Sequence, residues 1–486
     1  MTAIWTICAL IAPWAAGTAL VWALNGRRGG DHRGSGLLAI GAGWLAGQAM
    51  MMAAVYVSLV VLGNGHARAV LLILAGVAIL LGGRVLAARG GTNARGEGGV
   101  AREAAAWTAG RTHGQRVAAV AGRVGMAVIV ASLLAKLYLL ICAHAFIPIR
   151  NDDAISIWLF KAKVIASLDQ LPLDPGSDYH QGGSNPHYSP FVPLIAAWIP
   201  LVTGHWHEQL ATLPWLFCYV NLVLLIAGGL GRWMTAAQSW IAAYLVASLP
   251  LMIIHAYRPG YADMILGAFL AGAALYLLIW RETNLARHLL LAAAFALTAA
   301  CLKRESAALA AIIVLAVLLP SVGNVRAWST RARLGALAFI GAIVLIVAVV
   351  VDTTEQKEAV VKLDYYPAVW AKLGQHLFAW SSFHFLFWAL VAVAVTLSCS
   401  RRTSQVAPAI LLTLGLCGFQ AAVFLFTPQA RFALNDQTPS RLFLQLVPSL
   451  VLAWGILFSS ILKAPEEAAI CTVPAGDIGE ATGEQI

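Results

Sequence analysis

Acid and base recur together at four points in this chain, each where a long apolar run begins or ends. IRNDD at 149–153 sets adjacent carboxylates, Asp152 and Asp153, directly after the apolar run 124–147. HAYRPGYAD at 255–263 carries Arg258 and Asp263, and LKRES at 302–306 carries Lys303, Arg304 and Glu305. Arg441 closes TPQARFALNDQTPSR at the mouth of the last run. A carboxylate near water takes a proton from a positioned hydroxyl, and arginine grips phosphate through two parallel hydrogen bonds. Charge so close to hydrocarbon is costly unless it is paired or used. Each group also has a structural reading. Asp152 and Asp153 suit the N-terminus of a helix over 154–168, and Asp263 that of the next span. Glu305 suits a counter-ion to Lys303 or Arg304, and the cations suit snorkelling toward lipid headgroups.

What must hold these groups is a membrane bundle. Of 486 residues, 60% are hydrophobic and 11% charged, against about 25% charged in a soluble domain, and the mean hydropathy is +0.78. A spanning helix takes about 20 apolar residues. Thirteen runs approach that length, at roughly 3–25, 37–62, 68–88, 124–147, 209–231, 237–255, 261–281, 286–301, 306–320, 334–351, 377–398, 406–427 and 442–462. The net charge of +10 would suit nucleic acid, but divided by side it reads as topology. With the N-terminus outside and the C-terminus inside, 19 of the 32 basic residues face the cytoplasm beside 9 acids. The outer side holds 12 basic residues and 13 acids, and Lys136 lies within a span. That is the positive-inside pattern, and it calls for no nucleic-acid partner. It requires that FVPLIAAWIPLV at 191–202, interrupted by Pro193 and Pro200, be a half-helix on the outer side. Seven cysteines, mostly in apolar runs and without a CxxC pair, indicate neither a disulfide framework nor a zinc site.

The chain divides into an accessory three-helix segment (1–90), a basic linker (91–123), a membrane domain (124–462) with an outer loop over 148–208, and a cytoplasmic tail (463–486). Residues 154–168 lack Gly and Pro and mix Ile, Trp, Leu, Phe and Lys, which predicts an interfacial helix whose lysines snorkel. The Pro, Gly, Asp and Ser of 171–190 predict irregular structure. His180, His187, His205 and His207 fall on the same side, and imidazole with carboxylate suits several divalent ions. Their spacing defines no metal site. Trp158, Tyr179, Tyr188, Trp198, Trp206 and Tyr257 suit interfacial anchoring, with stacking on a sugar or a prenyl chain as the other use.

Taken in order, DAISIWLFKAKVI at 153–165, NPHYSPFVPL at 185–194, GYADMIL at 260–266, KRES at 303–306 and PSRLFLQLVP at 439–448 resemble the GT-C superfamily of membrane glycosyltransferases. Within it they resemble the bacterial branch related to glycosyltransferase family 39, the lipid A aminoarabinose transferases and the Rhizobium lipopolysaccharide galacturonosyltransferases. The resemblance covers roughly 124–462 and implies an all-α polytopic membrane protein. It would be a bundle of about 13 transmembrane helices with a periplasmic first loop, set in the bacterial inner membrane. It implies transfer of a sugar from a polyprenyl-phosphate donor to a lipid, glycan or protein acceptor, most simply with inversion. Asp153 would then be the base that activates the acceptor hydroxyl, with Asp152 sharing or orienting that role. Lys303, Arg441, Arg258 and Arg304 would hold the donor phosphate, while Asp263, Glu305, His187 and Tyr188 would meet sugar or acceptor. Relatives usually carry an acid in a Pro-Asp-Tyr-Pro-like element where this chain has Pro186, His187, Tyr188 and Ser189. The departure leaves the second acid and any divalent cation open, and no cofactor is otherwise required.

Two other classes fit a polytopic chain. A transporter or lipid-linked sugar flippase would place ionisable groups at mid-membrane on broken helices in paired repeats, whereas here they collect at helix ends. A non-catalytic membrane subunit would use none of these acids. The topology predicts that, in a cysteine-free background, Asp152→Cys reacts with a membrane-impermeant maleimide added to intact spheroplasts while Arg102→Cys does not. Labelling with the opposite sidedness would overturn it.

Overall fold

The computed structural model of this chain describes residues 2–25, 35–64, 66–90, 113–174, 176–180, 188–318, 364–384, 386–398, 403–436 and 438–462. Among them no strand occurs. In chain order the helices are α1 (Thr2–Asn25), α2 (Ser35–Val61), α3 (Ala67–Gly90), α4 (His113–Phe146), α5 (Leu159–Leu168), α6 (Phe191–Thr203), α7 (Glu208–Leu230), α8 (Ala236–Ser248) and α9 (Pro250–Tyr257). They continue as α10 (Asp263–Thr283), α11 (Ala286–Leu302), α12 (Arg304–Leu318), α13 (Val369–Gly374), α14 (Leu386–Ser398), α15 (Thr403–Phe426), α16 (Ala430–Leu434), α17 (Pro439–Leu444) and α18 (Val447–Leu462). Seven of them, α1 to α4, α7, α10 and α15, are long and apolar enough to cross a membrane, and α8 with α9 adds an eighth if the bent pair is one span. The chain is a multi-pass membrane protein.

Several apolar runs are interrupted. The run over 237–255 is two helices whose axes bend by 64°. Leu249 between them is extended, at φ −60° and ψ 127°, because a residue before proline is pushed out of the helical region. The run over 377–398 opens instead with a π-turn, Gln375–Ala379, followed by a single 3-10 turn, Ser381–Phe383, before the described part of α14, Leu386–Ser398. The last run is divided between α17 and α18 at Gln445 and Leu446. The run 334–351, most of the linker and the tail lie outside the described residues.

Helices in lipid gain nothing from hydrophobic exclusion of one another, so close contact between small residues must hold them. The α1/α2 crossing shows this directly: a Cβ added at Gly47 would stand 1.9 Å from the Pro13 carbonyl oxygen. The α2/α7 crossing repeats it, with a Cβ at Gly228 falling 2.2 Å from the Leu38 nitrogen. The N-terminal three-helix segment is therefore packed into the rest of the membrane domain rather than set beside it. The axis of the assembly is α10, whose apolar window is 94% buried, whereas that of α4 is 11% buried. A helix apolar all round sits inside a bundle, and α10 does. Lys136 on α4 meets its intramembrane cost by donating to Ser132 Oγ at 2.8 Å and lying 5.0 Å over the Tyr244 ring.

The segment after α4 packs one face against protein. It starts with a π-turn, Ala154–Trp158, runs into α5, and packs Ala154, Trp158, Ala162 and Ile165 into protein. Lys161 does not snorkel. It is fully buried, with its Nζ 4.6 Å over the Tyr179 ring, and burial lowers its ammonium pKa to about 8. Trp198 on α6 likewise serves packing, being buried and donating from Nε1 to the Ala9 carbonyl at 2.7 Å.

Overpacking at the closest crossing should be severe. Gly47→Val is expected to destabilise the protein by at least about 1–3 kcal/mol. Gly76→Val on α3, where an added Cβ meets nothing within 4 Å, should stay within about 0.5 kcal/mol. Thermal denaturation of the two purified variants in detergent measures the difference.

Candidate active site

Charge from four separate segments meets where α10 begins. Asp263 is its first residue, delivered by a turn that only glycine allows. Gly260 has φ +106°, and a Cβ there would fall 2.3 Å from the Ala154 Cβ, so the turn lies directly on the start of the 154–158 segment. Asn151 staples the two together by donating from Nδ2 to the carbonyls of Arg258 (2.9 Å) and Pro259 (3.0 Å). Lys303 stands between α11 and α12 in an extended conformation, φ −146° and ψ 155°, and its carbonyl accepts from Ser306 Oγ at 2.7 Å. Arg441 rides on α17, whose first position is a proline, a residue suited to a helix start.

The centre of the cluster is the Asp263 carboxylate, which is fully buried. Its Oδ1 accepts from Lys303 Nζ and Gln445 Nε2, both at 2.7 Å. Its Oδ2 accepts from Arg441 Nε and Nη2, both at 3.2 Å, with His255 Nε2 3.5 Å away. Arg441 Nη2 also donates to Asp153 Oδ2 at 2.5 Å, and the guanidinium lies 4.2 Å over the Tyr261 ring. Glu305 Oε1 is 3.4 Å from Lys303 Nζ. Tyr188 completes the wall, stacked on Trp158 with ring centroids 5.0 Å apart.

The electrostatics follow from this arrangement. Burial works against the Lys303 ammonium, but Asp263 and Glu305 beside it hold its pKa above the ordinary lysine value. Burial likewise opposes the Arg441 charge, and Asp263 with Asp153 outweighs it. Both cations therefore stay charged at any pH the protein meets. Burial also raises the Tyr188 phenol, with Glu305, Asp153 and Asp263 adding to the rise against Lys303, so that group is a neutral donor. Among the described side chains, three carboxylates against two cations leave one net negative charge when His255 is neutral. Asp153 is about one-third exposed, and its Oδ1 has no partner among the described residues, which leaves one carboxylate oxygen open beside a fixed arginine.

Of the residues singled out from sequence, Asp153, Asp263, Lys303, Glu305, Arg441 and Tyr188 come together here. Asp153 does not use its carboxylate as a cap, since it makes no side-chain capping bond at the helix start. Asp152, one residue away, is exposed, and its carboxylate has no partner among the described residues. Arg258 is also exposed and lines a separate cavity with Arg150 and Glu208. His187 and the side chain of Arg304 lie outside the described residues. Among the described residues no three His, Cys, Asp or Glu side chains gather as metal ligands; His205 and His207 are exposed, and His180 packs edge-on to Tyr179.

Sequence reasoning missed Gln445, His255 and Tyr261, although a glutamine within an apolar run is a costly residue that calls for a partner. It also missed a brace beside the site. His376 Nδ1 pairs with Ser440 Oγ at 2.7 Å, and His376 Nε2 lies 3.3 Å from Asp436 Oδ1. Asp436 Oδ2 in turn accepts from Lys372 Nζ at 2.7 Å. This chain of contacts ties the 369–380 segment to the residue before Arg441.

Comparison with family models, with curated proteins and with solved structures gives no match. The residues and their geometry therefore carry the functional argument.

Removing one partner of a buried ion pair typically costs about 3–5 kcal/mol, because the other charge is left uncompensated. Asp263→Ala is expected to destabilise by that amount. The Asp263→Ala, Lys303→Met double variant should lose clearly less than the sum of the single losses. A thermal-denaturation double-mutant cycle in detergent reads the coupling, and strict additivity would contradict the pairing.

Proposed function

We propose that this chain is a membrane glycosyltransferase of GT-C type. It moves a sugar from a polyprenyl-phosphate donor to a lipid, glycan or protein acceptor on the outer face of a bacterial inner membrane. The observation that carries the reading is the convergence of Asp153, Asp263, Lys303, Glu305 and Arg441 on one partly open cluster at the helix ends. With it goes a topology of thirteen crossings, the N-terminus outside, and the loop bearing Asp153 in the periplasm.

In this reading the open Oδ1 of Asp153 accepts the proton of the acceptor hydroxyl as its oxygen attacks the anomeric carbon. The bond from that carbon to the phosphate oxygen breaks, and polyprenyl phosphate leaves with the bonding electron pair. Arg441 fixes the orientation of Asp153, and a proton acceptor so positioned typically contributes 10²- to 10⁴-fold. Buried Asp263 is a positioning residue with no free lone pair to offer. The net negative charge of the cluster favours the positive character that develops on a sugar ring during transfer, a feature shared with glycoside hydrolysis. His187, Arg304 and Asp152 enter this reading only through the sequence resemblance.

One observation favours a second reading. The bent pair α8 and α9 ends beside the buried Asp263 network, and discontinuous helices that present charge to a cavity are a transporter device. A lipid-linked sugar flippase would use the same residues without transferring anything.

Reconstituted protein supplied with a polyprenyl-phosphate-linked sugar and an envelope lipid extract separates the two. Asp153→Asn should lower the transfer rate by about 10²- to 10⁴-fold while binding of the donor stays within twofold. Translocation of a fluorescent lipid-linked sugar across protein-containing liposomes, lowered by Asp153→Asn and accompanied by no transfer to any acceptor, would replace the transferase reading with the flippase.

A further inference from the structure

A cavity of about 130 Å³ lies outside the Asp263 cluster, between the end of α4, the start of α7 and the turn after α9. Its framework is already satisfied. His144 sits between Thr212 Oγ1 (3.3 Å) and the Ala256 carbonyl (2.9 Å), and Glu208 Oε1 accepts from the Ile149 N–H at 2.9 Å. Asn151 spends its amide donor on the Arg258 and Pro259 carbonyls. What the cavity leaves over is charge. Arg150 and Arg258 line it, both are exposed, and among the described residues neither guanidinium has an ion-pair or hydrogen-bond partner. Glu208 is the one carboxylate in the lining, so the site holds one net positive charge.

This is the reverse of the Asp263 cluster, where Lys303 and Arg441 are consumed by carboxylates. An anion entering the cavity meets two arginines that no described carboxylate holds. The surroundings add a second requirement. One wall of the cavity is the end of α4, which supplies Ala143, His144 and Ile147; the apolar window of that helix is 11% buried, and Phe146, the residue before Ile147, exposes 82% of its surface. An occupant that uses both the arginines and this wall has an anionic head and a long apolar chain. Glu208 keeps acceptor capacity beyond the Ile149 contact, which favours a head with a hydroxyl or ammonium next to the anion.

We propose that the cavity beneath Arg150 and Arg258 binds the phosphate head of a membrane lipid, the two guanidiniums holding the phosphate oxygens and Glu208 accepting from a neighbouring hydroxyl or ammonium. Its link to the proposed function rests on that reading: Asn151 joins the cavity to Asp153 two residues on, so a donor phosphate held here would present its sugar toward the Asp263 cluster. The binding itself does not depend on the transfer reaction.

The test uses the full chain purified in an uncharged detergent and titrated with dihexanoyl phosphatidylglycerol, dihexanoyl phosphatidylcholine and inorganic phosphate, read by microscale thermophoresis. Phosphatidylglycerol, which carries hydroxyls beside its phosphate, should bind more tightly than phosphatidylcholine, which has no donor there. Replacing both arginines with glutamine should weaken it by at least about tenfold, the loss expected for charge-assisted hydrogen bonds. Both side chains are exposed, so folding is expected to survive, and Arg258→Lys, which keeps the charge, should retain part of the affinity. Asp153→Asn should leave lipid binding within twofold even if it abolishes transfer, so loss of the reaction and loss of the site are separate results. Inorganic phosphate bound as tightly as the lipid, with the same arginine dependence, would overturn the lipid assignment in favour of a soluble phosphate. Unchanged lipid affinity in the double arginine variant would overturn the site.

Discussion

The carboxylate of Asp263 has no contact with water, and the end of the bundle around it is arranged to make that tolerable. An ion moved out of water loses several kcal/mol of solvation, and only counter-charges with filled lone pairs recover it. Lys303, Arg441 and Gln445 fill them, with His255 alongside. These partners come from the α9 end, the α11/α12 connection and the α17 to α18 break. Satisfying one buried group therefore fixes how those helix ends lie relative to α10.

That constraint also decides what the neighbouring charges are free to do. Lys303 and Arg441 look in isolation like anion-binding groups, yet each is committed to carboxylates within 3.2 Å. The charge the cluster offers outward is negative, concentrated on the open oxygen of Asp153. Arg150 and Arg258, beside Asn151 in the neighbouring cavity, carry positive charge that has no partner among the described residues. Two adjoining regions of opposite sign, one suited to a proton and the other to an anion, thus share a single stretch of chain.

The scaffold behind them depends on residues with little chemistry of their own. Glycines at the α1/α2 and α2/α7 crossings let backbones touch, which in lipid takes the place of hydrophobic exclusion. Pro250 bends α8 away from α9, and Gly260, at a positive φ, folds the next turn onto Ala154. Without that pair Asp263 would start its helix away from Asp153.

Composition and local pattern were enough to establish a multi-pass membrane protein, a short helix over 191–202, which the structure carries one residue further, and charge collected at helix ends. Hydropathy, proline and glycine act within a few residues of themselves, so their effects can be read along the chain. Run lengths were less informative, since a run such as 237–255 reads as one helix until the direction of its two halves is known. Which charges pair was decided only by tertiary structure. Asp152 and Asp153 are alike in sequence, but only the second turns toward Arg441, 288 positions away. Lys303 and Arg258 read as equivalent cations until one is found committed to Asp263 and the other left with no partner among the described residues. Ion pairing depends on distances of a few ångströms between segments remote along the chain, and no local pattern encodes those distances.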